Sequence, residues 1–440
     1  MSVFRAAARR TCAGRSRRQF VPSFAFALLT LALAGCEAGG SYPQTTFRPV
    51  SEFGDALNDV FYNTFGWTMG IMVIVIILIL FAAFRFRERP DSPDPEQIHG
   101  NTKLEIAWTI VPAIIVVFMG VPTVRTIFDT QREPPEDALR VEVIGHQWWW
   151  EFRYPEYDIV TANEMWIPVD RPVSLAMRSA DVIHSFWIPR IGGKRDVNPL
   201  PRRREGEPPK HDNYLLFTVE EAGRYLGQCA EYCGEAHAIM RMTVMAAEPQ
   251  EFDAWVQRMR TGGPLTTGLP PAQDPAAGAL VVGEQQVPDQ QAGAPAVPAV
   301  TPAQVAGVAP APVQQPRFGQ MPAPTGAGNP YRAPVPESLL QEEGKRIFLA
   351  SSCVACHSVA GTPAAGPVGP SLTMLGSRPW IGAGASDMDH ANLVAWIKDP
   401  QAIKPGALMP GTTRGGGGMA PTGLTEEEVR AVAAYLLSLK

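Results

Sequence analysis

Three uncharged apolar runs open the chain, at 20–34, 67–84 and 106–124. The second and third approach the ~20 residues a helix needs to cross a bilayer. Pro112 and Pro122 interrupt the third, yet prolines are tolerable where neighbouring helices satisfy the freed carbonyls. These runs predict a two-helix transmembrane hairpin within residues 37–130, with helices at about 67–84 and 106–124. From 139 onward the pattern shortens. Trp148, Trp150, Phe152 and Tyr154 recur at period two, which places four rings on one face of a strand. Strand-like runs at 173–177, 214–219, 225–228 and 242–246, separated by turn residues, predict an antiparallel β-sandwich or barrel within 131–262, closed by a short helix at 252–259. Residues 263–335 hold mainly Pro, Ala, Gly, Gln and Val. Such a stretch buries too little apolar area to offset its ordering entropy and reads as a disordered linker. Helical periodicity returns at 336–349, 392–397 and 425–439. The last run has Glu426, Glu427 and Glu428 in its first turn, as the helix dipole favours. Residues 336–440 therefore predict an all-α domain.

Charge orients these elements. Arg5, Arg9, Arg10, Arg15, Arg17 and Arg18 precede the first apolar run, the order of a secretory signal. That run ends Leu33-Ala34-Gly35-Cys36, which resembles a lipobox and implies a signal over residues 1–36 with lipidation of Cys36. Arg85, Arg87, Arg89 and Lys103 lie between the two later runs. By the positive-inside rule that loop is cytoplasmic, and everything after residue 124 lies outside. The net charge of −5 is mild and no basic stripe is present, so nucleic acid is not an expected partner.

Cys12 falls within the expected signal, and the other four thiols stand in two metal-type contexts. Cys229, Cys233, His237 and Met240 fall within C-A-E-Y-C-G-E-A-H-A-I-M. Two thiolates, an imidazole and a thioether form a soft set that selects copper over hard cations. A disulfide would need neither His237 nor Met240, and a zinc site would leave Met240 unexplained. A second histidine is needed, and His184 in D-V-I-H-S-F-W-I-P is the best candidate. Cys353, Cys356 and His357 form C-x-x-C-H, the attachment signature of c-type haem.

The run from His184 through Met240, together with G-H-Q-W-W-W and the apolar hairpin, resembles subunit II of the haem–copper cytochrome c oxidases over about residues 50–255. The resemblance implies a cupredoxin-like Greek-key β-barrel holding binuclear CuA. Cys229 and Cys233 would bridge two coppers, His184 and His237 would bind one each, and Met240 and the Glu231 carbonyl would complete the set. It further implies magnesium on the Glu231 side chain at the contact with subunit I. Electrons would come in through Trp148. Glu105, in N-T-K-L-E-I-A-W-T-I-V-P, would mark the mouth of a proton channel. The charged run at 194–213 is longer than in most relatives, and His211 within it reads as a surface residue.

The distal haem ligand should be a sulfur. Met409, in K-P-G-A-L-M-P, resembles the Met-Pro ligand of small cytochromes c, with Met419, Met374 and Met388 as alternatives. Gly369-Pro370 resembles a turn flanking the haem. A cytochrome c domain behind a CuA domain is the arrangement of caa-type oxidases. The implied role is the electron-receiving subunit of a proton-pumping terminal oxidase in a bacterial cell membrane, a multi-pass protein with both cofactor domains on the outer face. A donor, a soluble cytochrome c or another carrier, would reduce the haem. CuA would follow, then haem a of subunit I, where oxygen becomes water; subunit III and membrane lipid are further expected partners. A quinol oxidase subunit would lack the copper thiolates. A soluble nitrous-oxide reductase would lack the hairpin, and a lone electron-carrying lipoprotein would leave the hairpin and Glu231 without a partner.

Overall fold

The computed structural model describes residues 42–87, 97, 99–199, 213–261 and 336–440. The expected signal with Cys36, the expected linker at 263–335, and Arg89, His211 and most of the charged run lie outside the described residues. Helix α1 spans Glu52–Arg85 and α2 spans Thr102–Thr130. Both are long and apolar enough to cross a membrane. The 34 residues of α1 extend about 50 Å at 1.5 Å per residue, more than the ~30 Å of hydrocarbon. The excess lies at its N-terminal end. There Phe53 and Gly54 are buried, Thr218 N–H donates to Glu52 (2.7 Å), and Val50 N–H donates to the Arg190 carbonyl (2.9 Å). The first span is thus fixed to the base of the β-domain. Helix α2 runs unbroken through Pro112 and Pro122.

Ten strands follow. They are β1 (Leu139–His146), β2 (Trp149–Tyr154), β3 (Ile159–Ala162), β4 (Glu164–Pro168), β5 (Val173–Ser179), β6 (His184–Trp187), β7 (Arg195–Val197), β8 (Tyr214–Phe217), β9 (Gly223–Cys229) and β10 (Arg241–Ala247). They form two five-stranded sheets, β3-β2-β1-β5-β8 and β4-β10-β9-β6-β7. The sheets are mixed where the sequence pattern suggests purely antiparallel ones: β1 pairs β5 in parallel and β10 pairs β4 in parallel. The chain crosses to the second sheet as β4 and returns as β5. That crossover brings β5 beside β1 in the same direction.

Trp150, Phe152 and Tyr154 fill the space between the sheets, as period two requires, but Trp148 lies on the turn before β2 and is only half buried. Tyr154 donates its hydroxyl to the Trp166 carbonyl (2.9 Å) and accepts from Trp166 N–H (2.8 Å), so its polar tip is satisfied in the core. Helix α3 (Pro249–Thr261) closes one end, with Trp255 stacked on Trp166 at 5.7 Å.

The C-terminal unit contains α4 (Glu337–Ala350), the single turn α5 (Cys353–Cys356), α6 (His390–Lys398), α7 (Pro400–Ile403) and α8 (Glu426–Ser438), with a two-strand ribbon β11 (Trp380–Ile381) and β12 (Ser386–Asp387). Thr425 and Glu428 cap α8 reciprocally, satisfying two otherwise orphaned N–H groups. Gly344 of α4 lies directly on the Ala431 backbone of α8, and Phe348 packs on Tyr435 at 5.7 Å between ring centres.

Candidate metal and haem sites

Strands β6, β9 and β10 are neighbours in the second sheet. His184 begins β6, Cys229 ends β9, and the loop 230–240 returns to β10. Pairing closes that loop at its base: Cys229 N–H donates to the Met240 carbonyl (2.9 Å) and Ala230 N–H to the Ser185 carbonyl (2.8 Å). The Cys229 and Cys233 sulfurs lie 3.7 Å apart, far beyond the ~2.05 Å of a disulfide. His184 Nδ1 is 4.0 Å from the Cys229 sulfur, and His237 Nδ1 is 3.7 Å from that of Cys233. Met240 Sδ lies 3.8 Å from the Cys233 sulfur and the Glu231 carbonyl 3.2 Å from that of Cys229. Donors about 2.3 Å from one tetrahedral ion are themselves about 3.7 Å apart, so this spacing suits soft-metal ligation.

These donors are buried apart from a half-exposed His237 and the Glu231 side chain, which faces solvent. A β-carbon at Gly145 would stand 2.7 Å from the His184 ring, so that glycine leaves the imidazole its space. The hydrogen bond between the thiols drives Cys229 down to about 3 and its partner Cys233 up.

Asp181, which sequence reasoning missed, holds this arrangement from behind. Its carboxylate accepts His184 Nε2–H at 2.8 Å, fixing Nδ1 as the nitrogen facing the thiols. It also accepts Gln147 N–H (2.6 Å) and Val182 N–H (2.7 Å). Burial pushes the Asp181 carboxyl up, but the His184 and backbone hydrogen bonds outweigh it and hold the group below its usual range. For His184, burial pulls the imidazole down while Asp181 and Cys229 prevail and raise it. The available signal was position: an acid three residues before a candidate ligand histidine.

Trp148 joins the site through its indole N–H, which donates to the Cys233 carbonyl at 2.9 Å. His146 stacks on Trp149 at 4.2 Å and bonds to Glu151 at 2.8 Å, away from the thiols. Glu105 is exposed and accepts Asn101 N–H at 3.1 Å, while Asn101 accepts Leu104 N–H at 3.2 Å. Its visible contact is therefore a helix cap.

In the C-terminal unit, Cys353 and Cys356 sit three apart on the single turn α5, so both sulfurs leave one face. His357 donates Nδ1–H to the Pro370 carbonyl at 2.8 Å, which leaves Nε2 with its lone pair free to ligate iron. Burial pulls this imidazole down toward its neutral form. A β-carbon at Gly369 would stand 2.9 Å from the ring, so the Gly369-Pro370 turn fits closely around His357. These features suit a histidine-ligated haem held through two cysteines.

Met409 is half buried against the helical core, whereas Met419 is exposed, with its sulfur 3.8 Å from that of Cys356. Met374 packs into the β-domain core and Met388 against the helical core.

The family models agree with this partition. "Cytochrome C oxidase subunit II, transmembrane domain" matches residues 49–126, "Cytochrome C oxidase subunit II, periplasmic domain" residues 158–247, and "Cytochrome c" residues 341–440. Cytochrome c oxidase subunit 2 of Alkalihalophilus pseudofirmus is 30% identical over 432 residues, covering 97% of this chain and 98% of the relative. The protein of the same name from Bacillus subtilis is 28% identical over 437 residues, covering 94% and 96%. Quinol oxidase subunit 2 of Bacillus subtilis is 32% identical over 258 residues, covering 57% of this chain and 76% of the relative.

Proposed function

The chain belongs to the cytochrome c oxidase subunit 2 family and carries a C-terminal cytochrome c domain, and we propose that its side chains build the CuA and haem c sites through which an oxidase receives electrons. It is a membrane protein with a periplasmic domain, a copper- and haem-c-dependent component of a haem–copper oxidase, and works with other oxidase subunits. When bound, these groups supply one-electron redox chemistry. The observation that carries the site assignment is the convergence of the Cys229, Cys233, His184, His237, Met240 and Glu231-carbonyl donors at 3.2–4.0 Å from one another's sulfurs.

In this reading Cys229, Cys233, His184, His237, Met240 and the Glu231 carbonyl would together hold the copper pair, with the two thiolates shared between the ions. Asp181 orients His184 and keeps its tautomer. Cys353 and Cys356 tether the porphyrin, and His357 ligates iron on the side braced by Pro370. Met409 would supply the distal sulfur, a reading supported by its half-buried packing against the helical core where Met419 is exposed. The exposed Glu231 side chain is free to take magnesium at a subunit I contact. The two spans form a multi-pass hairpin that leaves residues 131–262 and 336–440 outside, with 263–335 as tether and Cys36 as lipid anchor. Subunits I and III complete the complex, a soluble cytochrome c is a fitting donor, and Glu105 borders the proton path.

The test is purification of the complex from membranes with metal and haem analysis. Copper in excess of the subunit I centre, covalent haem c on this chain and co-purifying haem a are expected. Their absence from a complex containing the intact chain would sink the assignment.

A further inference from the structure

Lys404 follows helix α7 and precedes Met409 in the same loop. Among the described residues Lys404 and Arg378 are the buried lysine and arginine, and Lys404 is only 4% exposed. Its ammonium donates to three backbone carbonyls: Trp148 (2.6 Å), Ile239 (2.8 Å) and Gly382 (2.8 Å). An ammonium has three protons, and each is used. Two of these acceptors belong to the β-domain and one to the helical domain. A buried charge is costly unless its hydrogen bonds are made, so a lysine seated this way specifies one pose.

Gly406, two residues on, lies against the Trp148 indole. A β-carbon there would stand 2.5 Å from two ring carbons, and the residue holds φ +81, a backbone that suits glycine. The same Trp148 donates its indole N–H to the Cys233 carbonyl. The loop bearing Met409 and the loop bearing Cys233 therefore meet at one tryptophan.

A second patch supports the first. Arg241 N–H donates to the Ala383 carbonyl at 3.0 Å, and Met374 enters the hydrophobic core of the β-domain. Arg378 is buried, donates to the Ser371 and Thr373 carbonyls, and faces the charge of Glu164 on β4.

We propose that the loop 404–409 is a docking key by which the haem domain seats on the copper domain of its own chain, with Lys404 as the positioning residue that reads the Trp148 and Ile239 carbonyls. The purpose assigned to the key rests on the copper and haem reading; the contacts themselves do not. While the key is seated, Gly406 occupies the six-membered edge of the half-buried Trp148 ring. A soluble donor protein then cannot stack on it and delivers to the tethered domain instead.

The experiment uses the full chain in the solubilised oxidase, comparing wild type with Lys404→Met. Amide hydrogen exchange of 146–150 and 237–241 is expected to rise about tenfold or more, because the interface opens without unfolding either domain. The haem and copper absorption bands should be retained. Flash-initiated transfer between the two centres should slow by about tenfold or more, since a small misplacement of reacting groups costs heavily. Exchange and transfer both within about twofold of wild type overturn the proposal. Should Lys404→Met lose its haem band, Glu164→Gln tests the same interface from the copper-domain side and must raise exchange at 241–243 and 378–384. No rise there overturns the proposal equally. Missing copper or haem bands in the wild-type complex would instead strike the cofactor reading, which these exchange measurements do not need.

Discussion

Asp181→Asn isolates the role of a group that touches no metal. The carboxylate places Oδ1 against His184 Nε2–H (2.8 Å) and Val182 N–H (2.7 Å), and Oδ2 against Gln147 N–H (2.6 Å). An asparagine has the same shape but one acceptor oxygen. If that oxygen faces His184, the new NH2 confronts Gln147 N–H; if it faces Gln147, His184 loses its acceptor. The first orientation loses the Gln147 bond and the second loses both the His184 and Val182 bonds, so at least one charge-assisted hydrogen bond, worth roughly 1.5–3 kcal/mol, is lost and the rest are weakened. Removing the partner of a ligating histidine typically costs about 10–100-fold in metal affinity, which is about 1.4–2.7 kcal/mol and agrees with the hydrogen-bond estimate. Copper retention against a competing chelator measures the effect, with the haem band of the same chain as an internal standard for folding. Affinity within about threefold of wild type would refute the claim that Asp181 sets the orientation of His184.

Met409→Leu should abolish the methionine-ligated haem spectrum and lower the haem potential, because sulfur ligation raises it; Met419→Leu should leave both unchanged, and the reverse result would exchange their roles. Trp148→Phe removes the N–H that bonds the Cys233 carbonyl, so transfer into the copper centre should slow by about tenfold while copper content holds; an unchanged rate would take Trp148 out of the route. Trp255→Ala deletes a ring that is 1% exposed and packs on Trp166 and Tyr154. It should destabilise the copper domain by about 3–5 kcal/mol in denaturant melts, leaving the haem domain's transition in place. For Glu151, burial raises the carboxyl, but His146 and Arg153 outweigh it and hold it below the ordinary 4.5. A depressed carboxyl contributes stability present above its unfolded value and lost as pH falls through its folded one. Copper-domain stability should therefore decline on acidification below about pH 4.5, and Glu151→Gln should flatten that limb. An unchanged acid limb in the variant would assign it to other groups.

What could be read from the chain beforehand followed the range of the interactions. The spans were visible as apolar runs, but α1 continues back to Glu52 through polar residues, because its N-terminal turns are held by the β-domain rather than by lipid. Strands β1, β3, β4, β6 and β7 went unread. The last four are three to five residues long, and β4 and β6 are buried almost continuously, so no alternation marks them; β1 is longer, but three buried residues in a row break its alternation. The parallel partners of β1 and β10 depend on crossovers that no local pattern encodes. Cys229, Cys233, His237 and Met240 were legible because one loop carries them all. His184, 45 residues from Cys229, stood out only as the best candidate for a second histidine, and the family resemblance supplied its role. Asp181 offers no donor to the metal and was passed over, and the contact of Lys404 with Trp148 spans 256 residues.

That long contact bears on why the ligand loop can be both exact and exposed at one edge. The donors come from β6 and from the hairpin between β9 and β10, and three ladders fix their bases: Phe186 opposite Cys229, Arg241 opposite Gln228, and His184 opposite Val197. A loop anchored this way needs little reorganisation when its charge changes, because its sulfur positions are set by strand register rather than by the bound group. The Glu231 and Tyr232 side chains are left facing solvent, while Trp148 links the Cys233 carbonyl to Lys404 and Gly406 of the helical domain. Under the proposed function that exposed edge would be the one to meet another subunit, while the Trp148 contact is taken by this chain's own helical domain.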